Sequence, residues 1–185
     1  MRIVAGRFRG ARLAAPKGQE TRPTSDKVRQ ALFNILRHGV EDFELEGARV
    51  LDVFAGTGAL GLEALSQGAR FALFIDSDAS ARAAIRQNVE ALSLTGETKI
   101  WRRDATSPGP AGTLDPFDLV FLDPPYGKGL GTQALPALRE GGWIRPGAVC
   151  VLEERADAEM SAPEGFSKID RRRYGDTQVL ILRAD

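Results

Sequence analysis

The 185-residue chain has one cysteine, Cys150, and one histidine, His38. A single cysteine excludes an internal disulfide and makes a reducing, cytoplasmic setting the expected one. With so few soft ligands no structural zinc site is expected, and no other metal is called for. No apolar run approaches the length needed to cross a bilayer. The start, Met1-Arg2-Ile3-Val4-Ala5-Gly6-Arg7, lacks the apolar stretch of a signal peptide and is broken by arginine. A membrane partner is therefore not expected. Internal repeats and low-complexity tracts are also missing, and 43% hydrophobic residues is ordinary for a globular chain.

Net charge is absent too, because 25 basic and 25 acidic side chains cancel. The cancellation is not local. Residues 1–39 hold nine basic side chains against two acidic ones, a charge of +7, so the rest of the chain carries −7. A basic arm on an acidic body suits a polyanionic partner. A solvated charged face would leave the same trace, so charge alone does not choose. The first residues, Arg2–Ala15, read as a hairpin around Gly6-Arg7-Phe8-Arg9-Gly10. Arg2, Arg7, Arg9 and Arg12 interleaved with Phe8 could meet phosphates and an unpaired base. Equally, Ile3, Val4 and Leu13 could simply cover a sheet. Pro16–Pro23 reads as a loop, and Thr24 or Ser25 as the cap of a helix with Val28, Ala31, Leu32, Ile35 and Leu36 at helical spacing. Gly39 ends it. Lys27 and Arg29 add cations to that helix. His38 fits a favourable contact with the helix end better than a catalytic role.

From Arg49 short apolar runs alternate with helical segments. The runs are Val50–Phe54, Phe71–Ile75, Lys99–Arg102, Leu119–Leu122 and Val149–Leu152. Helices are expected at Ala59–Gln67, Ala79–Leu92 and Thr132–Glu140. Such alternation predicts an α/β fold of the Rossmann-like kind, with a mostly parallel sheet covered on both faces. Ser167–Tyr174 and Thr177–Arg183, joined by Gly175-Asp176, read as a hairpin that adds an antiparallel strand. Arg155–Gly165 is an acidic loop before it. Cys150 sits inside an apolar run as a small buried residue. The division expected is an N-terminal hairpin and helix over residues 1–39 and a catalytic domain over 40–185.

Val50 to Gly61 is a strand, a glycine turn and a helix start. Gly56, Gly58 and Gly61 match a dinucleotide fingerprint, which by itself does not separate NAD from S-adenosylmethionine. Asp52 favours the latter. A carboxylate beside a pyrophosphate is repelled, whereas the ammonium and sulfonium of S-adenosylmethionine attract it. Asp52 could instead bond amides of the turn, and both roles are compatible. Phe54, Ala55, Gly56 and Gly58 would line the cofactor. Asp76, at the end of the second run, suits the ribose hydroxyls. Asp78 reads as a helix N-cap. Asp104 and the backbone of Ala105 would hold the adenine edge.

Leu119-Val120-Phe121-Leu122-Asp123-Pro124-Pro125-Tyr126 is the most specific signal. A strand ends in a carboxylate, two prolines without N–H groups and an aromatic. Asp123 and the Pro124 carbonyl can accept both hydrogens of a planar amino group and free its lone pair. Pro125 keeps the turn rigid, and Tyr126 can stack on the base.

These motifs resemble the amino-group methyltransferases. Arg2 to Gly10, Arg22 to Leu36, Asp52 to Leu65 and Asp123 to Tyr126 together resemble the bacterial RsmD-type family, over nearly the whole chain. The resemblance implies a seven-stranded sheet with the last strand antiparallel, S-adenosylmethionine as methyl donor, and guanine N2 in small-subunit ribosomal RNA as acceptor. The RNA could be met within an assembling subunit. It also implies that Arg22, Pro23 and Thr24 pack at the methionine end of the cofactor. Some relatives carry Phe in place of Tyr126, which implies stacking rather than a hydroxyl role, and many carry Glu in place of Asp76. A monomer is expected. The competing readings are a DNA or RNA adenine-N6 methyltransferase, an NAD-dependent oxidoreductase and a non-catalytic RNA-binding assembly factor.

Overall fold

The apolar runs become strands buried on both faces, and alternate residues feed two separate cores. The computed structural model describes residues 1–17 and 26–185. Its elements run α1 (Asp26–His38), β1 (Arg49–Val53), α2 (Ala59–Ser66), β2 (Phe71–Ile75), α3 (Ala79–Ala91) and β3 (Thr98–Trp101). They continue with β4 (Phe117–Leu122), α4 (Leu130–Glu140), β5 (Ile144–Arg155), β6 (Phe166–Tyr174) and β7 (Thr177–Ala184). One seven-stranded sheet has the order β3-β2-β1-β4-β5-β7-β6. β1 to β5 pair in parallel, and β7 lies antiparallel between β5 and β6. The expected mixed sheet with an antiparallel last strand is therefore present. Among the described residues no helix is long and apolar enough to cross a membrane.

Side chains alternate along each strand. Val50, Leu119, Phe121, Val149 and Val151 face one core with Leu32, Phe33 and Leu36 of α1, Leu62 and Leu65 of α2, and Ile85 and Val89 of α3. Ile3 and Leu13 belong to that same cluster, so the first residues and the sheet share one core. Leu51, Val53, Val120, Leu122, Cys150 and Leu152 face the other core, under Ala134, Leu135 and Leu138 of α4. Cys150 is fully buried, and burial pushes its thiol up to about 12. It is a packing residue, as its apolar neighbours imply.

Three elements differ from the sequence reading. The first residues form a looped ribbon, not a ladder: among the described residues its one bridge is Arg2 to Arg12, flanked by the bonds from Ile3 N–H to the Ala11 carbonyl and from Gly10 N–H to the Ile3 carbonyl. Gly6 explains the tight course, because a Cβ there would lie 1.9 Å from the Ser66 carbonyl oxygen. Second, β5 begins at Ile144, five residues before the apolar run. A register irregularity opposite Phe117–Leu119 absorbs Pro146 and Gly147, which read as strand breakers. Third, α4 starts at Leu130 and contains Pro136. The Asp78 cap is as expected, its carboxylate accepting from the N–H groups of Ser80 and Ala81. The expected cap at Thr24 or Ser25 lies outside the described residues.

The order of strands fixes where a ligand can sit. The chain runs outward through β1, β2 and β3, then returns to the other side of β1 as β4. Open α/β sheets bind ligands at such a reversal, beyond the carboxyl ends of the strands.

Candidate active site

At that reversal the strands end level. Val53 pairs with Ile75 on one side and with Leu122 on the other, and Ile75 pairs with Trp101. The next residues, Phe54, Asp76, Asp123 and Arg102, leave the sheet side by side. Four segments that are far apart in sequence thus meet at one edge.

The glycine turn is built on left-handed backbone at Phe54 (φ 57°), Gly56 (φ 59°) and Gly58 (φ 78°). A Cβ at Gly56 would meet nothing within 4 Å, so the turn's outer wall is open to a ligand. A Cβ at Gly61 would lie 2.5 Å from Phe74 Cε1, so α2 packs on β2 only because position 61 has no side chain. The Ala55 N–H donates to the Ile75 carbonyl and the Gly58 N–H to the Ala55 carbonyl, which closes the turn.

Asp52 lies beneath this turn, 1% exposed, and its Oδ2 accepts the Gly61 N–H at 3.0 Å. Burial pushes its carboxyl up to about 8, with the Gly61 bond opposing and the Asp76 charge adding. The bond to Gly61 is the amide-bracing role that the sequence left open for Asp52 beside the attraction of a cation. Asp76 is half-buried and works on the same turn. Its Oδ2 accepts the Gly56 N–H at 2.9 Å and its Oδ1 the Asp78 N–H at 2.9 Å. Each oxygen keeps a second lone pair for an incoming hydroxyl. Asp104 is exposed, and its Oδ1 accepts the Thr106 hydroxyl at 2.7 Å and N–H at 2.9 Å. These bonds, the hydroxyl's foremost, hold its carboxyl below the usual range. Ala105 is buried, so only its backbone could meet a ring. Arg22, Pro23 and Thr24 lie outside the described residues.

In the Asp-Pro-Pro-Tyr motif, Asp123 and Tyr126 are half-buried, Pro124 is buried and Pro125 is exposed. The Tyr126 hydroxyl donates to Glu153 Oε1 at 2.9 Å and accepts from the Thr177 hydroxyl at 3.0 Å. Burial, and then the Glu153 charge, push the phenol well above its usual range. The hydroxyl therefore has a task that the stacking expectation did not include. One residue on, the Gly127 N–H donates to Glu154 Oε1 at 3.1 Å. Adjacent glutamates of β5, on opposite faces of the strand, thus hold the motif's exit. The two acids prolong an apolar strand, which is the one trace of them in the sequence.

Sequence reasoning also missed two buried ties to the arm. Asn88 of α3, 3% exposed, donates to the carbonyls of Ala14 (3.0 Å) and Thr57 (2.9 Å) and accepts from the Ala14 N–H (2.7 Å). Glu63 of α2, fully buried, accepts from Val4 N–H (2.8 Å), Ala5 N–H (3.1 Å) and Gln67 Nε2 (2.9 Å). Arg29, expected at an RNA surface, is only 2% exposed; it pairs with Asp26 (3.0 Å) and Glu63 (3.6 Å) and donates to the Arg2 carbonyl. It is part of the packing between α1, α2 and the ribbon, because a buried guanidinium must find anions and carbonyls.

Arg2, Arg7, Arg9, Arg12 and Lys27 are exposed. Arg7 pairs with Glu97 at 2.6 Å and sits 4.7 Å from the Phe8 ring centroid. Phe8 is half-buried against the core, which limits the face it can offer a base. Arg9 and Arg12 make no ion pair with the described residues. A cavity of about 390 Å³ flanks the motif's exit, lined by Gly127, Gly129, Leu152 and Glu154 among others. A larger one, about 660 Å³, lies at the opposite end of the sheet beside Arg139, Ile144 and Ala184, away from these groups.

The chain is similar to the ribosomal RNA small subunit methyltransferase D of Haemophilus influenzae, with 32% identity over 95% of this chain and 89% of that protein. It is similar to the protein of the same name from Escherichia coli, with 36% identity over 85% and 76%. Among solved structures, yhhF from Escherichia coli superposes with a TM-score of 0.83 at 31% identity, covering 100% of this chain and 98% of that one. The family described as Conserved hypothetical protein 95 matches residues 1–183, and the chain belongs to it, the RsmD-type family.

Proposed function

We propose that the chain transfers a methyl group from S-adenosylmethionine to the exocyclic N2 of a guanine in small-subunit ribosomal RNA. One observation carries the reading: the glycine turn, Asp76 and Asp-Pro-Pro-Tyr leave neighbouring strand ends in register. The names of the Haemophilus and Escherichia relatives support the RNA class. The open wall at Gly56 and the flanking carboxylates suit a ligand with hydroxyls and positive charge and no phosphate. When bound, S-adenosylmethionine supplies an electrophilic methyl group. The backbone of Phe54 to Gly58 receives it, Asp76 accepts the ribose hydroxyls, Asp104 and Ala105 hold the adenine, and Arg22-Pro23-Thr24 close the methionine end.

Asp123 and the Pro124 carbonyl accept the two N–H bonds of the target amino group. That draws the nitrogen toward a pyramidal shape and exposes its lone pair. The Tyr126 ring supports the base. Positioning and fixed acceptors provide most of the acceleration. Once the nitrogen is methylated and cationic, Asp123 is the acceptor at hand for its proton. Arg2, Arg7, Arg9, Arg12 and Lys27 face the RNA, Phe8 adds its exposed edge, and the protein works as a cytoplasmic monomer.

The test is incubation of the protein with labelled S-adenosylmethionine and small-subunit RNA, followed by nucleoside analysis. Label in N2-methylguanosine is expected, and Asp123→Ala should lower it by about 10² to 10³-fold while cofactor binding persists. Label in N6-methyladenosine, or a fully active folded Asp123→Ala variant, would overturn the reading.

A further inference from the structure

We infer that the hairpin of β6 and β7 is a second RNA-docking surface, where Arg172 and Arg173 hold backbone phosphates on the side of the target base opposite the ribbon. The inference rests on the RNA reading above. Lys168, Arg171, Arg172 and Arg173 stand on β6 against a single acid, Asp170. That is a run of +3 inside the part of the chain that carries −7. β6 is an edge strand, and cations on an edge discourage pairing with another chain. The opposite edge, β3, carries Lys99 alone. On β6 the arginines are more numerous than that task asks, and they gather at one end.

The register shows which end. Leu180 pairs with both Arg171 and Leu152, and Leu152 pairs with Leu122, the last residue of β4. Val179 pairs with both Arg172 and Glu153, and Gln178 with both Arg173 and Glu154. Arg172 is therefore level with Asp123, the residue after Leu122, and Arg173 lies one residue further toward the carboxyl edge. Three strand spacings separate Arg172 from Asp123, roughly 14 Å. The hairpin tip is also joined to the motif directly, because the Thr177 hydroxyl donates to that of Tyr126 at 3.0 Å.

Both guanidiniums are open to an anion. Arg173 is exposed and makes no ion pair with the described residues. Its acidic neighbour, Asp157, is bound by Arg155 at 2.6 Å. Arg172 pairs with Asp170 at 2.9 Å, but its side chain is 55% exposed, and a surface pair of this kind gives way readily to a phosphate. Arg171 is committed differently, donating to the Met160 carbonyl. The planar fork of arginine matches two phosphate oxygens at once. The ribbon lies toward the other edge of the sheet, where Arg7 pairs with Glu97 just before β3. β4 is the central strand of the seven. An RNA strand whose base enters beside Asp123 would meet the ribbon on one side and the hairpin on the other. Two grips would hold the backbone while the base between them turns out of its stack.

The experiment uses RNA fragments that carry the target guanine with a flank of about six nucleotides on both sides, on the 5′ side only or on the 3′ side only. Binding is titrated against salt for the wild type and for Arg172→Ala/Arg173→Ala. On the two-sided RNA the slope of log affinity against log salt should flatten by about 1.4 to 1.8, the share of two phosphate contacts. The loss should fall on only one of the one-sided fragments, and Arg9→Ala/Arg12→Ala should lose on the other. Arg172→Lys/Arg173→Lys keeps the charges and should keep most of the slope. Melting temperature and S-adenosylmethionine affinity should stay at wild-type values in both hairpin variants. An unchanged slope overturns the inference, as does a loss on the same fragment for the hairpin and ribbon pairs. An equal loss per charge in Lys99→Ala also overturns it, since any cation would then serve. A lysine pair as weak as the alanine pair would mean a distorted hairpin and overturns it as well. Failure of the wild type to bind or methylate any of these RNAs is a separate result, and it would sink the proposed function itself.

Discussion

Asp52 lies under the glycine turn, and its protonation is tied to the fold. Its carboxyl rises from an ordinary 3.8 to about 8 because burial penalises the charged form. The folded state then holds this proton more tightly than the unfolded chain. The resulting stability is fully present below pH 3.8 and is lost as the pH climbs through about 8. Asp52→Asn, which keeps an acceptor for Gly61, should flatten the pH dependence of the melting temperature between about pH 5 and 8. Parallel melting profiles for the two proteins would show that Asp52 does not carry this proton. Tyr126 makes a similar point about hidden roles. Removing its hydroxyl deletes the bond to Glu153, which is 5% exposed. Tyr126→Phe should cost about 1–3 kcal/mol of stability and lower kcat more than it changes KM, with Tyr126→Ala worse on both counts. A Phe variant equal to wild type in denaturant titration and turnover would return the residue to a purely stacking role.

At the scale of elements, the N-terminal ribbon is built onto the helices that flank the glycine turn. Glu63 of α2 holds Val4 and Ala5, and Asn88 of α3 holds Ala14 together with Thr57 of the glycine turn. Removing Glu63 would leave the buried Arg29 with Asp26 and the Arg2 carbonyl and free the N–H groups of Val4 and Ala5, so Glu63→Ala should cost about 1–3 kcal/mol in denaturant titration. The ribbon's inner side is thus structural and its outer side is cationic. Arg9 and Arg12 are the cations on it that make no ion pair with the described residues, whereas Arg7 is engaged by Glu97. Phosphate contacts release counterions, so each should add about 0.7 to 0.9 to the slope of log affinity against log salt. Replacing Arg9 and Arg12 with alanine should therefore flatten the slope for RNA by about 1.4 to 1.8, with S-adenosylmethionine affinity unchanged. An unaltered slope in filter-binding or anisotropy titrations would shift the RNA surface away from the ribbon.

For the whole molecule, charge and layers divide along related lines. The first 39 residues carry +7 and the remainder −7. The ribbon, α1, α2 and α3 share one core, and α4 covers the other face. The carboxyl edge of the sheet, where the glycine turn and the motif meet, joins these layers. A ligand bound there touches segments from β1, β2, β3 and β4 at once, so its binding should stabilise the whole domain. S-adenosylmethionine at about 100 times its Kd should raise the melting temperature by roughly 5–10 °C, and NAD should not. A shift with NAD and none with S-adenosylmethionine would overturn the cofactor assignment.

The fold class, the strand-turn-helix at Gly56–Gly61, the Asp78 cap, the β6–β7 hairpin and the Asp-Pro-Pro-Tyr segment were legible in the sequence. Each rests on local periodicity or on residues whose backbone chemistry is special wherever they occur. The ribbon's course, the early start of β5 and the burial of Arg29 were not legible. They depend on Gly6 meeting Ser66, on a register irregularity opposite Phe117–Leu119, and on Glu63 from another helix. The same holds for charge states and partners. A sequence shows that Asp52 and Glu153 are acids, but only packing removes water from one carboxyl and aims the other at a phenol. Burial and long-range hydrogen bonds are properties of the assembled chain, because they arise between residues that local patterns leave unrelated.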